Sequence, residues 1–355
     1  MIDVTPVLQA YGSLDDGQGL VLATTLPVEP LSGGLINHTL AVGRSYVLQR
    51  LHPIFRAEVN LDIAALVPAL KAGDVPVPQI VPARDGLPYV SIAPGEPAAG
   101  VWRMLTRLPG HTLHKLQSPA QARAAGAMVG RFHTALLGSD HSFHFTRPGA
   151  HDTDLHLRRL EQAVADHSQH PLCPEVSVIA LELADRWRAW GAVPTLPERI
   201  IHGDLKVSNL LWNGEGAQAT EVCGVIDLDT MARSTLDIEL GDALRSWCNT
   251  GTEDAADPAL DKGIFAAAVQ GYLSTAGAWM TQAERQALAP ATERICLELA
   301  MRFAGDALRE DYFGWDPQRF PSRGVHNLVR ARNQLGLARS VRGQMAELVQ
   351  LTELG

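Results

Sequence analysis

Cysteine occurs only four times in 355 residues (Cys173, Cys223, Cys248 and Cys296), and no two stand in a Cys-x-x-Cys pair. Such spacing excludes a zinc ribbon and a disulfide framework, and it fits a reducing cytoplasm. Nowhere does an uninterrupted apolar run approach the roughly 20 residues that span a bilayer. The opening Met1-Ile2-Asp3-Val4-Thr5-Pro6 lacks the positive flank and apolar core of a secretion signal. A soluble cytoplasmic protein with no membrane partner is expected. Positive charge is in short supply: 30 basic residues face 39 acidic ones, a net charge of −9. Without a basic surplus to displace counterions, nucleic acid is not an expected partner. Lysine is scarcer still, with only Lys71, Lys115, Lys206 and Lys262, so each lysine's place in the chain carries information. Repeats of 20–50 residues and low-complexity tracts are absent, which excludes solenoids and biased disordered tracts.

What is present suffices for a substantial core, since 46% of the residues are hydrophobic. The length exceeds the ~100–200 residues of one compact domain, so two domains or lobes are expected. Residues 1–106 read as a small β-rich lobe. Leu40-Ala41-Val42 and Tyr46-Val47-Leu48-Gln49 flank Gly43-Arg44-Ser45, a hairpin signature, and 89–92 and 101–105 add strands. The spacing of Val59, Ile63, Leu66, Val67 and Leu70 predicts a helix over 57–72, ended by Val75-Pro76-Val77-Pro78. Residues 107–355 read as a larger, mainly helical lobe. Helices are predicted over 120–137, 155–167, 175–190, 259–287 and 291–309. One hairpin is embedded at 200–228, around the turn Asn213-Gly214-Glu215-Gly216. The expected fold class is α+β.

The chemistry concentrates in His202-Gly203-Asp204-Leu205-Lys206-Val207-Ser208-Asn209, followed by Ile226-Asp227-Leu228-Asp229. If 210–212 pairs with 222–226, an antiparallel hairpin sets Asn209 beside Asp227 at its open end. An amide oxygen beside a carboxylate suits a hard cation such as Mg²⁺, whose remaining ligands are water and phosphate. Asp204 and Lys206 fall on the adjoining loop, a carboxylate able to orient a hydroxyl and a cation able to reach a phosphoryl group. Phosphoryl transfer needs these parts, because it proceeds mainly by positioning and by offsetting negative charge. Asp-x-x-x-x-Asn alone would read as turn caps beside an ordinary hairpin. The ordered set of His-Gly-Asp, lysine, asparagine and a closing Ile-Asp reads as a site.

The run 202–209 resembles the catalytic loop of the aminoglycoside phosphotransferase and choline kinase-like family, relatives of the protein kinases. The resemblance implies a bilobal protein-kinase-like fold with ATP between the lobes. It implies Asp204 as catalytic base against the acceptor, Lys206 on the transferred phosphate, and Asn209 with Asp227 holding Mg²⁺. Tyr46-Val47-Leu48-Gln49-Arg50, His151-Asp152-Thr153, Ile226-Asp227-Leu228-Asp229-Thr230 and Leu240-Gly241-Asp242-Ala243-Leu244-Arg245 are similar to its N-acetylhexosamine 1-kinase-like branch. So are Arg302-Phe303, Asp311-Tyr312-Phe313, His326-Asn327-Leu328 and Arg330-Ala331-Arg332.

That resemblance implies further roles. Ser32, Gly33 and Gly34 would cover the nucleotide phosphates through backbone N–H groups. Arg50 stands in the place of the kinase strand lysine and would hold phosphate, with Glu58 and Asp62 both spaced to be its helix partner. Arg107 and Leu108 occupy the hinge beside the adenine edge. Asp242 either braces the catalytic loop or is a carboxylate at a helix N-terminus. Asp229 either joins the metal site or bonds its own turn. Asn37, Arg302 and Tyr312 match positions that hold the acceptor sugar. Gly34-Leu35-Ile36-Asn37 stands where the branch has Gly-His-Ile-Asn, an aliphatic contact in place of a polar one.

The expected activity is an ATP- and Mg²⁺-dependent small-molecule kinase acting on the anomeric hydroxyl of a sugar such as an N-acetylhexosamine. Three alternatives stand beside it: a kinase of another hydroxyl-bearing metabolite or an aminoglycoside, a non-catalytic nucleotide-binding regulator, and a histidine-based metal hydrolase. An acidic cleft would favour a cationic acceptor, a neutral polar one a sugar. For the hydrolase, His111-Thr112-Leu113-His114 and His141-Ser142-Phe143-His144 share a spacing but lack an intervening glutamate or an obvious third ligand. They read as solvent-facing loop residues.

Overall fold

Gly43-Arg44-Ser45 closes the expected hairpin between strands His38–Val42 and Tyr46–Arg50, with Val42 opposite Tyr46 and His38 opposite Arg50. Gly43 sits at φ +58°, a conformation that glycine adopts without steric cost. The computed structural model describes residues 2–17, 19–31 and 37–353. The hairpin forms the middle of a six-stranded antiparallel sheet, which runs Val28–Pro30, His38–Val42, Tyr46–Arg50, Gly100–Thr106, Ile80–Val81. Val90–Ile92 also pairs with Gly100–Thr106.

Side chains alternate across a strand, and here the two faces differ in kind. Leu40, Val42, Leu48, Trp102 and Met104 form an apolar face sealed by Val7, Leu8 and Tyr11 of the Thr5–Tyr11 helix. Gln49 and Arg103 project from the opposite face, where Arg103 reaches Asn60 of the Val59–Ala72 helix. That helix buries Ile63, Leu66 and Leu70 in a second, larger cluster with Val129, Phe132 and the helices that follow. This larger cluster crosses residue 106, so the helix belongs to the small lobe by chain order and to the large one by packing.

The later helices follow the predicted spacing at Pro119–Ala135, Thr153–Asp166 and Cys173–Trp190. Ser118 and Asp152 cap the first two, accepting from backbone N–H groups of Gln121 and Leu155. The expected pair 259–287 and 291–309 is corrected to Lys262–Ala276 and Gln282–Arg309. Thr281 and Glu284 make a reciprocal capping box that starts a new helix there, and Pro290 is accommodated inside it. Besides Thr5–Tyr11, two helices were not expected from spacing, Leu236–Trp247 and Arg323–Glu353. The buried side of the second mixes Asn327, Asn333 and Gln334 with Leu328, Ala331, Leu335 and Ala338. Polar residues in the stripe hide its 3.6-residue period. Among the described residues no helix is long and apolar enough to cross a membrane, and the four cysteines are free.

Candidate active site

Strand Leu210–Trp212 pairs with Val222–Val225, and Leu210 lies opposite Val225. One step further out, Ile226 N–H donates to the Asn209 carbonyl at 2.9 Å. The open end of the hairpin thus carries Asn209 and Asp227 together, as the spacing predicts. Asp227 leaves the strand at φ +66°, ψ +55°, a left-handed conformation that aspartate tolerates better than most residues. Lys206 Nζ stands 2.7 Å from Asp204 Oδ2 and 4.0 Å from Asp227 Oδ2. The Asn209 amide donates to the Asp204 carbonyl at 2.7 Å and to its Oδ2 at 3.1 Å. Both partners are acceptors, so the amide nitrogen must face them and Asn209 Oδ1 points away.

What holds this loop is a residue that motif reading missed. Glu239, 2% exposed on the Leu236–Trp247 helix, accepts from His202 N–H at 2.7 Å and from Gly203 N–H at 2.9 Å. Its burial would raise the carboxyl pKa, but the hydrogen bond and charge of His133, with His202 and the Gly203 N–H, hold it below the usual range. Asp242, proposed as the brace, bonds Arg245 of its own helix instead, at 3.0 Å, and lies mid-helix rather than at an N-terminus. His202 Nδ1 accepts from Asp204 N–H at 3.3 Å, so its Nε2–H donates to the Ile226 carbonyl at 2.9 Å. Trp247 Nε1 secures the Leu205 carbonyl at 2.7 Å. Gly203 at φ +81° passes so close to Thr230 that an added Cβ would lie 2.4 Å from its carbonyl oxygen.

Other predicted positions fall elsewhere. Asp229 neither bonds its own turn nor stands free for a cation: its carboxylate pairs with buried Arg103 and accepts from the Asn37 amide at 2.7 Å. Asn37 Oδ1 in turn accepts from His52 N–H at 2.9 Å, so this predicted acceptor residue is engaged as a tie between the sheet and the Asp227 turn. Arg103 also donates to Gln49 at 2.7 and 2.9 Å. Strand alternation sets Arg50 on the opposite face from Gln49, flanking Gly100, so it does not share the side on which Arg103 meets Asp229. Neither of its candidate helix partners pairs with it: Glu58 bonds Arg56 at 3.0 Å, and Asp62 takes His141 at 3.0 Å and His144 at 2.8 Å. His141 is therefore not a solvent-facing loop residue; its side chain is 14% exposed and pinned to a buried carboxylate. Ser32, Gly33 and Gly34 lie outside the described residues. Arg107 and Leu108 follow the last long strand of the sheet, Arg107 N–H bonding the Ser45 carbonyl at 2.8 Å and Leu108 lying against Gly224.

Arg302 lies 5.9 Å from the Tyr312 ring centroid and 5.5 Å from that of Phe313. The two residues expected to share a ligand are thus brought together. They line a cavity of about 460 Å³ with Arg147, Arg159, His156 and Arg309. Burial would raise the Asp242 carboxyl, yet Arg245, His151 and Arg302 together hold it below the usual range. Asp242 in turn helps Asp204 and Asp227 to raise Lys206, outweighing its burial. Asp242 thus interacts both with Arg302 of the cavity and with Lys206 of the 202–209 loop.

Asp227 titrates above the ordinary carboxylate range, first through burial, then through Asp229, with Lys206 opposing and Asp204 adding to the rise. A surplus of negative charge at a cleft-facing carboxylate suits a divalent cation, and Asn209 Oδ1 and Asp227 are the donors that fit one. A raised folded-state pKa favours the protonated form, so at neutral pH the ionised Asp227 destabilises the metal-free fold. Asp227→Asn is expected to raise the Tm of metal-free protein at pH 7. The gain should shrink as the pH falls and vanish below the ordinary aspartate value of 3.8. Thermal melts in EDTA across this range check the sign; an unchanged or lowered Tm at pH 7 would contradict it.

The profile of the phosphotransferase enzyme family matches residues 27–277. Among solved structures, a microcompartment-associated aminopropanol kinase is 17% identical, with 98% of each chain covered and a TM-score of 0.60. An amicoumacin kinase in complex with AMP-PNP and Ca²⁺ is 16% identical over 94% of this chain and 93% of the other, TM-score 0.61. A choline/ethanolamine kinase family protein from Mesorhizobium loti is 15% identical over 93% of each chain, TM-score 0.53. At these identities the likeness establishes a kinase-like fold.

Proposed function

The chain belongs to the phosphotransferase enzyme family, and on that premise we propose that it is an ATP- and Mg²⁺-dependent kinase of small hydroxyl-bearing molecules, the acceptor being a sugar phosphorylated at its anomeric hydroxyl. The observation that carries this reading is the convergence of Asp204, Lys206, Asn209 and Asp227 on one loop and one hairpin end. Lys206 and Asn209 both donate to Asp204 Oδ2. Asp204 Oδ1 is left to orient the acceptor hydroxyl and take its proton. Lys206, kept cationic by three carboxylates, offsets charge on the phosphoryl group in flight. Asn209 Oδ1 and Asp227 would hold Mg²⁺, which when bound neutralises phosphate charge and fixes the triphosphate. The sheet would form the roof over the nucleotide, with 32–34 over the phosphates and 107–108 at the base edge. Arg50 is dropped from the phosphate set because of the face it occupies. On the acceptor side, the Arg302 fork and the faces of Tyr312 and Phe313 suit the hydroxyls and ring of a sugar such as an N-acetylhexosamine or a charged derivative of it.

Incubation with Mg-ATP and a panel of hexoses, N-acetylhexosamines, amino alcohols and aminoglycosides, read by ³¹P NMR, tests the reading. A phosphate resonance coupled to an anomeric proton supports the sugar assignment. Phosphate on an amino alcohol alone would move the acceptor class, and absence of acceptor-dependent ADP release would remove the kinase. Arg302→Ala and Tyr312→Ala are expected to raise the acceptor KM about 10–100-fold, the size of one lost charge-assisted or buried hydrogen bond. The KM for ATP should stay within about threefold. A defect confined to ATP would contradict the acceptor role.

A further inference from the structure

Positive charge is scarce in this protein, yet four arginines line the cavity of about 460 Å³ beside Tyr312 and Phe313. That volume lies within the ~300–1,000 Å³ of small-molecule sites. Elsewhere most arginines that are buried or half-buried are matched to carboxylates, as in Arg199–Glu284, Arg245–Asp242 and Arg186–Glu182. In the cavity, no hydrogen bond or ion pair links the guanidinium of Arg147, Arg159 or Arg302 to any described residue, although Arg302 lies by the Tyr312 and Phe313 rings and is felt by Asp242, and that of Arg309 donates only to the Arg159 carbonyl. Two acidic residues share the lining but do not pair with them. Asp306 spends its oxygens on the N–H groups of Asp311, Tyr312 and Phe313 and on the Asn327 amide, at 2.8–3.1 Å. Asp311 shares a hydrogen bond with Asp306, which raises its carboxyl pKa. Even with both carboxylates ionised, the lining carries a positive excess.

Unmatched guanidinium forks around a cavity are suited to a planar carboxylate or a phosphate monoester, which they can hold in bidentate fashion. We propose that the acceptor carries such an anionic group, seated among Arg147, Arg159 and Arg309, with Arg302 and Tyr312 on the wall toward Asp242 and the catalytic loop. This rests on the kinase reading above and narrows its substrate class from neutral sugars to acidic ones. Neither the acidic cleft that a cationic aminoglycoside would need nor a purely neutral one matches this lining.

Calorimetric titration of the full-length protein with N-acetylglucosamine, N-acetylglucosamine 6-phosphate, glucose and glucuronate tests the proposal, with ADP release measured on the same panel. At least one anionic member is expected to bind tenfold or more tighter than its neutral parent. Which member gains distinguishes phosphate from carboxylate. Arg159→Gln combined with Arg309→Gln should abolish that advantage; Arg159 is exposed, so Arg159→Gln alone, expected to reduce the advantage at least about threefold, keeps the test decisive should loss of the half-buried Arg309 disturb the fold. Equal affinity across charge, an advantage that survives both substitutions, or no binding by any member at millimolar concentration overturns the proposal. The two readings fail separately. Anion-selective binding without ADP release removes the kinase and leaves the cavity assignment, whereas ADP release with neutral sugars alone does the reverse.

Discussion

Replacing Asp204 by Asn is expected to lower kcat by about 10³-fold, within the ~10²–10⁴ that a positioned general base supplies. The substitution keeps the volume and an oxygen able to accept from Lys206 and Asn209, now at 2.7 and 3.1 Å. It removes the lone pair that would take the acceptor proton, and with it the negative charge opposite Lys206. Because Glu239, Ile226 and Trp247 hold the loop through backbone groups and His202 rather than through the Asp204 side chain, the geometry should persist. Affinity for Mg-ATP should therefore stay within a few fold, measured by titration, while steady-state ADP release collapses. Turnover within tenfold of the unaltered protein would mean that Asp204 is not the base.

The convergence of Asp204, Lys206, Asn209 and Asp227 was legible because it is local. Asp204, Lys206 and Asn209 fall on one turn, and a hairpin of ordinary length returns Asp227 to Asn209. The supports were illegible for the opposite reason. Glu239 reaches His202 and Gly203 across 37 and 36 residues of chain, and Arg103 reaches Asp229 across 126. Each nevertheless left a trace. Arg103 is a lone charge in the apolar strand Val101-Trp102-Arg103-Met104-Leu105, and Glu239 sits between the buried Ile238 and Leu240 of its helix. A charge inside an apolar run is seldom buried unless it is paired. Asp62 carries the same signal, standing one residue before Ile63 on the buried side of its helix. Arg50 misled because motif alignment counts residues, whereas a strand turns every second side chain to the other face.

The Arg103–Asp229 pair separates structural support from chemistry. The two residues are 2% and 1% exposed, so removing either partner leaves a buried charge and should cost about 3–5 kcal/mol. Arg103→Met would strand the Asp229 carboxylate with only the Asn37 amide. Asp229→Leu would leave the guanidinium with Gln49 and a long 3.4 Å contact to Asn60. The double variant, Arg103→Met with Asp229→Leu, buries no charge, and much of the lost stability should return, because apolar replacement of a buried pair is often close to neutral. Activity should not return with it. Asp229 lies two residues from Asp227 and is what Asn37 holds, so without its carboxylate the sheet loses its grip on the turn that carries Asp227. Urea unfolding and ADP release on the two single variants and the double variant provide the cycle. Recovery of stability with kcat still down at least tenfold makes the pair a positioning device that couples sheet to turn. Joint recovery of both would reduce it to packing, and the position of Asp227 would then have to be set by the hairpin alone.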